Sequence, residues 1–428
     1  MSSARFVPAG PLRGSLRPPP DKSISHRAAL LAAMADGESP ISRYLDSADT
    51  RATLDAVRAL GATVETTEAD PSGALDLSVA GIGLRGPGAG AGAEPLAIDV
   101  GNAGTLLRLL PGWLAGQAAG EWTLDGDESI RRRPVDRVVL PLREMGANVD
   151  ARDERLPPLS VKGSRLHGIS YRLPVASAQV KSCILLAGLA AEGETEVIEP
   201  APSRDHTERM LAAAGARVTA ETPGPGLAVR GALPPRRIVV RPADRLEPVR
   251  LSVPGDFSSA AFLLVAALVI PGSRVRLEGV GLNPTRVGLL GILNRMGAAI
   301  EVEEGILSGG EPQGAVDARH SVLRATRVAA GEVPLAIDEL PLVALAGAFA
   351  EGETVVGGAQ ELRHKESDRI ASSSPRSGRW AARPRPRRTA SRSAAWAACA
   401  GGGSTHRATT GSRCSARSPA SPRGTGSR

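Results

Sequence analysis

A helix-and-strand phrase recurs five times along the chain, and this internal repeat limits the possible folds more than any other feature. The copies are SISHRAALLAAMADGESPIS, AGTLLRLLPGWLAGQAAGEWTL, SAQVKSCILLAGLAAEGETEVIE, FSSAAFLLVAALVIPGSRVRLEGV and DELPLVALAGAFAEGETVVGG. Each opens on small or polar residues, runs through an apolar helix, meets a glycine and ends in a short alternating strand. Between the copies lies a second phrase: DTRATLDAVRALGATVET, PVDRVVLPLREMGANVDA, SRDHTERMLAAAGARVTA and NPTRVGLLGILNRMGAAIEV. In both phrases the glycine is expected to end the helix in the left-handed conformation.

Four complete pairs and half of a fifth result, and the pattern implies an α/β protein. Pairs one to three reach about Leu246, and RPADRLEPVRLSVPGD before pair four reads as a crossing between two lobes. Two equal lobes would need six pairs. The boundaries read from this pattern are residues 1–21 with 248–370 for a first lobe and 22–247 for a second.

After Ile370 the pattern stops. Residues 371–428 contain no Leu, Ile, Val, Met, Phe or Tyr, so they cannot bury enough apolar surface to offset the entropy of ordering, and a disordered basic tail is expected there. The tail also accounts for the net charge of +7: it holds twelve of the 52 Lys and Arg and none of the 45 Asp and Glu. Forty basic against 45 acidic side chains remain in the body, a balance that argues against nucleic acid as its partner. The three cysteines, Cys183, Cys399 and Cys414, form no metal-ligand or disulfide pattern, and no metal is expected. The N-terminus lacks the apolar stretch of a secretory leader, and the apolar run near Ala260 to Ile270 is too short to cross a bilayer. No membrane association and a cytoplasmic location are expected.

Four clusters carry candidate chemistry. PPPDKSISHR puts Lys22, Ser23 and Arg27 at a helix start, suited to a phosphate or carboxylate and equally to an ordinary capped helix end. DVGNAGTLLR brings Asn102, Gly104, Thr105 and Arg108 to another helix start, either as a close approach to a ligand or as a tight capped loop. DESIRRRPVDR sets three arginines before a proline, an anion site or a surface charge run. ELRHKESDR packs Lys365, Glu366, Asp368 and Arg369 into five residues, a pattern that also suits an exposed ion-pair ladder. Because these clusters sit at the starts of repeat helices, they can converge on one cleft.

Taken together, LRGSLRPPPDKSISHRA, GNAGTLLRLL, RRRP, ASAQVKS, SRDHTE, PGDFSSAAF, NPTR, IDELP and RHKESDR resemble, in order and spacing, the EPSP synthases. The resemblance covers residues 8–370. It implies two lobes built from repeated βαβαββ units, an inside-out α/β barrel, here with its last units incomplete. It also implies the joining of phosphoenolpyruvate to the 5-hydroxyl of shikimate 3-phosphate, without a cofactor and in a monomer. By resemblance, Lys22, Gly104, Arg133, Gln179 and Arg369 would hold phosphoenolpyruvate. Lys22, Ser23, Arg27, Ser177, Ala178, Gln179, Asp338 and Lys365 would surround shikimate 3-phosphate, and Ser203 is a further candidate.

The same resemblance casts Asp338 as the base toward the 5-hydroxyl, with Glu366 and Lys22 supplying the proton to the methylene carbon. A helix N-cap is the competing reading of Asp338. Ala178 replaces a second serine of the family pattern, and His206 stands where Tyr or Arg is often found. The rival within the fold, a UDP-N-acetylglucosamine enolpyruvyltransferase, uses a loop cysteine, whereas Cys183 lies inside an apolar helix. An inactive remnant that binds only shikimate 3-phosphate is the reading from another class.

The family pattern also continues into an Asp-His-Arg motif and a later lysine that this frame lacks. Losing two charge-assisted contacts worth roughly 1.5–3 kcal/mol each would slow turnover by about two to four orders of magnitude. Reading each codon from the last base of its predecessor allows Ala371 to Ala381 to become Val-Val-Val-Ala-Pro-Leu-Arg-Ala-Leu-Gly, and Arg407 to Cys414 to yield Gly-Asp-His-Arg-Ile-Ala-Met. The tail is therefore read as a shifted frame of the same gene.

Overall fold

The computed structural model describes residues 10–68, 73–86, 94–221, 235–364, 368–373 and 395–396. In chain order, β1 (Arg13–Leu16) precedes a first run of α1 (Lys22–Met34), β2 (Glu38–Tyr44), α2 (Ala48–Ala59), β3 (Thr63–Glu68) and β4 (Leu75–Ala80). The second run is β5 (Leu96–Asp99), α3 (Gly104–Ala115), β6 (Glu121–Asp125), α4 (Asp136–Glu144), β7 (Asn148–Arg152) and β8 (Leu156–Lys162). The third is β9 (Ser170–Arg172), α5 (Ala178–Gly188), β10 (Thr195–Glu199), α6 (His206–Ala213), β11 (Val218–Glu221) and β12 (Arg236–Val240). After β13 (Leu251–Ser252) come α7 (Phe257–Val269), β14 (Arg274–Gly281), α8 (Gly288–Arg295), β15 (Ala299–Ser308) and β16 (Glu311–Arg319). An abbreviated fifth run holds β17 (Arg327–Val328), α9 (Val333–Ala336), α10 (Leu340–Ala348), β18 (Val355–Val356) and α11 (Arg369–Ser373), with β19 (Ala395–Trp396) beyond it.

The second and third runs each build one four-stranded sheet, and the first and fourth complete theirs with a borrowed strand. The first strand lies parallel to the second, which a crossover helix permits, and the second pairs antiparallel with the fourth, as in β5-β6-β8-β7 and β9-β10-β12-β11. The two phrases differ because their helices occupy different places. α1, α3 and α5 are buried along most of their length, so they are apolar on nearly every side and form the middle of the lobe. α2 and α4 lie outside and bury only one stripe, Val138, Val139, Pro141 and Leu142 in α4.

The lobes exchange strands. β1 completes the sheet of β14, and β13 completes the sheet of β2. The chain thus crosses twice, at residues 17–21 and 253–256, and the two crossings pair antiparallel: the Asp21 amide donates to the Pro254 carbonyl at 2.8 Å and the Asp256 amide to the Pro19 carbonyl at 2.7 Å. Two buried cores follow this division, one from Ile24 to Val253 and one from Phe257 to Ile370. The return crossing therefore lies a little beyond the boundary read at 247/248.

The second-phrase helices end as expected. Gly61, Gly146, Gly215 and Gly297 all have positive φ, between 82° and 110°. In each case the glycine amide and the following alanine amide bond back into the last turn, as in Gly297 to Asn294 at 2.9 Å and Ala298 to Leu293 at 3.1 Å. The first-phrase helices end differently. Gly116 has φ of −86°, and the left-handed glycines, Gly37, Gly120, Gly193, Gly272 and Gly352, turn the chain into the next strand rather than capping the helix.

The fifth run departs from the pattern. β19 lies parallel to β18, where the fourth strand of a complete run is antiparallel to the second. The expected disordered tail is thus interrupted by residues 371–373, which finish α11, and by β19; the rest of it lies outside the described residues. A Cβ at Gly297 would meet only Val322 O, at 3.9 Å, so Gly297→Ala isolates the cost of the left-handed backbone. The substitution is expected to destabilise the first lobe by about 1–2 kcal/mol in urea unfolding.

Candidate active site

Three central helices begin at one end of the second lobe. Gln179 Nε2, in the first turn of α5, donates to Thr105 Oγ1 in the first turn of α3 at 3.1 Å. Arg27, in the second turn of α1, donates to Ser182 Oγ of α5 at 3.0 Å and to Thr207 Oγ1 of α6 at 2.8 Å. The helices are therefore parallel, and their unpaired amides and dipoles add at this end. Asp21 caps α1 by accepting from the Ile24 amide at 3.0 Å, and Ser177 caps α5. α3 starts at Ala103 without a side-chain cap; the Gly104 amide donates to the Asn102 carbonyl at 2.9 Å, and the amides that follow it in the first turn are suited to an anion.

Two guanidiniums stand over that uncapped end. Arg133 Nη2 donates to Asn102 Oδ1 at 2.7 Å and to Ser129 Oγ at 3.2 Å, and Asn102 is held in turn by Asp127 at 2.6 Å. Arg108 donates to the Gly104 carbonyl at 3.1 Å and to Gln179 Oε1 at 3.3 Å. A Cβ on Gly104 would lie 2.9 Å from Arg133 Nη1 and 3.1 Å from Arg108 Nη1, so only glycine lets both cations come this close. Two like charges held together at a positive helix end are costly unless a negative group joins them. Of the three-arginine run only Arg133 takes part; Arg131 pairs with Asp125 and Arg132 with Glu128 on the exposed surface.

Lys22 extends from the start of α1, half exposed, with its Nζ 3.0 Å from Asp49 Oδ2; an exchangeable surface pair of this kind is weak. Ser23 offers its carbonyl to Arg27 at 2.9 Å. Arg27 itself is buried, donating to its own helix at Ser23 and to two neighbouring helices at Ser182 and Thr207, and burial pushes its guanidinium down to about 10, with Glu208 and Asp21 partly opposing. Ala178 forms the first residue of α5. Ser203 donates inward to Glu199 at 2.7 Å. The Cys183 thiol is buried inside α5 and pushed up to about 12 by that burial, the reverse of an activated nucleophile.

From the other lobe comes Asp338, between α9 and α10. The residue at the N-cap position of α10 is Glu339, without a side-chain cap bond, so the capping alternative for Asp338 does not hold. Its carboxylate instead meets Arg204 of the second lobe and Arg369 Nη1 at 3.2 Å. Lys365 and Glu366 lie outside the described residues. A second contact between lobes is buried: His206 Nδ1 lies 2.8 Å from Glu311, and Asn283 donates to Asp205 at 2.8 Å and to Glu311 at 3.2 Å. His206 thus faces the opposite lobe. Sequence reasoning missed Arg204 and Asp49; SRDHTE carried the signal for Arg204 but offered no view of its partner across the cleft.

Among the described residues, no group of three or more His, Cys, Asp or Glu side chains is placed to hold a metal, and no helix is long and apolar enough to cross a membrane. The architecture is that of a two-lobed α/β protein with an anion-attracting end on its central helices and a carboxylate facing it from the other lobe.

Comparison with known proteins narrows this class. The family model for EPSP synthase (3-phosphoshikimate 1-carboxyvinyltransferase) matches residues 7–376. A 3-phosphoshikimate 1-carboxyvinyltransferase of Thermus thermophilus is 51% identical over 378 residues, covering 86% of this chain and 81% of the relative. One from Alkalilimnicola ehrlichii is 49% identical, covering 85% and 77%. A solved EPSP synthase from Acinetobacter baumannii superimposes with a TM-score of 0.73 at 42% identity, covering 86% of this chain and 78% of that one. The chain belongs to the EPSP synthase family and is a transferase.

One buried group gives this lobe a pH signature. His26 bonds Thr53 Oγ1 at 2.6 Å through Nδ1, and burial, with Lys22 nearby, pushes its imidazole down from 6.5 to about 3. The unfolded chain takes up this proton below about 6.5 while the folded chain refuses it until about 3. Its contribution to stability is therefore complete above that window and is lost as pH falls through it. Urea melts are expected to show stability falling between pH 7 and pH 5, and His26→Gln to flatten that fall.

Proposed function

We propose that this chain transfers the carboxyvinyl group of phosphoenolpyruvate to the 5-hydroxyl of shikimate 3-phosphate, releasing phosphate. The 5-hydroxyl oxygen bonds to the enol carbon as the methylene carbon takes a proton, giving a tetrahedral ketal. The ketal then loses phosphate and a methyl proton to restore the double bond. The observation that carries the reading is the pairing of Arg108 and Arg133 over the uncapped start of α3 at Gly104, with Asp338 across the cleft.

In this reading, Lys22, Arg133, Gln179, Arg369 and the backbone at Gly104 hold phosphoenolpyruvate. Ser23, Arg27, Ser177, Gln179 and Lys365 hold shikimate 3-phosphate, and Arg27 also braces the helices that carry them. Ala178, at the start of α5, contributes only backbone to that site. Asp338 takes the hydroxyl proton, and Glu366 with Lys22 manages the proton on the methylene carbon. Two arginine contacts keep the Asp338 carboxylate at the cleft. The buried, deactivated thiol of Cys183 speaks against the sugar-nucleotide enzyme as an alternative.

The tail is proposed to be the same gene in a shifted frame. Three facts support this: the family match ends at residue 376, β19 runs the wrong way for its place in the repeat, and the shifted reading restores a second-phrase helix with its glycine. DNA sequencing between codons 365 and 415 is expected to reveal a frame change; an unbroken frame there would dismiss it.

Phosphate release with shikimate 3-phosphate is expected, and none with UDP-N-acetylglucosamine. Lys22→Ala and Arg133→Ala are each expected to lower kcat/KM by about 100-fold, the equivalent of one or two charge-assisted contacts. Gly104→Ala presses on flexible side-chain ends, so it is expected to leave thermal stability unchanged while raising the KM for phosphoenolpyruvate about tenfold by displacing Arg133. Full activity in the Lys22 and Arg133 variants would defeat the reading.

A further inference from the structure

At the place where the chain crosses between lobes, three carboxylates from different segments meet one buried guanidinium. Arg286, in the turn between β14 and α8, is almost wholly buried. Its Nη2 lies 2.7 Å from Asp256 and 3.5 Å from Asp21, and its Nη1 lies 3.2 Å from Glu339 and 3.0 Å from Ser258 Oγ. Ser258 also donates to Glu339. Asp21 and Asp256 are the N-caps of α1 and α7, one from each lobe and one from each crossing strand.

Sequence position gives this cluster its meaning. Asp21 precedes Lys22, and Glu339 follows Asp338. The guanidinium therefore grips the side chains of the residues immediately next to Lys22 and Asp338 in sequence. We infer that Arg286 is a positioning residue that locks the double crossing and sets the separation of Lys22 and Asp338, while touching neither substrate. The inference rests on the proposed carboxyvinyl transfer for its effect on rate, but the lock itself does not.

A planar guanidinium can satisfy carboxylates on both of its edges, which a lysine ammonium cannot do. In Arg286→Lys, one positive charge remains in the cluster and the geometry is lost. Removing the charge altogether would strand two buried carboxylates and the partly buried Asp256, and threaten folding. Asp256→Asn serves as the milder variant, since asparagine still caps α7.

The test is hydrogen exchange on the full chain, together with phosphate-release kinetics. In Arg286→Lys the amides of Asp21 and Asp256, which close the crossing, are expected to exchange about tenfold faster or more, while those of α3 and α5 keep their wild-type rates. The kcat is expected to fall about tenfold with the KM for shikimate 3-phosphate within about twofold, because the second lobe still holds that substrate. Asp256→Asn is expected to shift both readouts the same way by less. Crossing amides that stay protected in whichever variant folds would overturn the lock, and so would a uniform rise across the whole chain, which marks a plain stabilising residue. If Arg286→Lys shows the exchange pattern but the wild-type chain shows no transfer, the activity proposed above fails and the lock stands.

Discussion

Three parallel helices packed against one another, with their starting ends together, underlie the chemistry this chain can perform. Such an arrangement adds helix dipoles of the same sense and would drive the ends apart in isolation. Burial of α1, α3 and α5 along their length opposes that repulsion, and the side chains of Arg27, Gln179, Ser182 and Thr207 fix the axial register. What burial cannot neutralise is the accumulated positive potential. A doubly charged acid placed there is attracted by the same field that costs the empty protein stability.

The second lobe supplies the field and the first supplies a carboxylate. Their relation depends on a short stretch where two chain segments run past one another. Buried ion pairs rarely add net stability, because desolvation consumes most of the Coulombic gain. The cluster around Arg286 illustrates how differently its members respond. Burial pushes Asp21 upward, yet Arg286, with His206 and the Ile24 amide, draws it down to about 2, whereas Asp256, buried beside Asp21, is raised. A cluster so finely balanced specifies geometry more than it contributes stability.

How much of this was legible in the residues depends on the range of the interaction. The glycine-alanine pairs that end α2, α4, α6 and α8 were readable because the motif closes within six residues. The first-phrase glycines were assigned to the wrong task, since a glycine after a helix can serve the cap or the next strand and composition does not distinguish them. Gly104, Asn102 and Arg133 could be named individually, but that the bare start of α3 lies beneath two guanidiniums required coordinates. Arg204 facing Asp338 and His206 facing Glu311 are contacts between lobes, over 134 and 105 residues of chain, and no local pattern encodes them. Residues 1–21 were already placed with the lobe of 248–370, as β1 on β14 bears out, but the return of β13 to the sheet of β2 was invisible, because a two-residue strand carries almost no periodicity.

That swap has a consequence for how the molecule is made. Arg13 must wait for Arg274 before β1 has a neighbour, and at roughly 5–20 residues per second a ribosome needs on the order of 13 to 50 seconds to deliver it. Until then the nascent amino end is a lone extended segment beside a half-built protein, and the sheet of β2 lacks its border until β13 emerges. Neither half can be completed from its own stretch of polypeptide, so maturation is one event shared by both, late in synthesis and exposed to chaperones throughout.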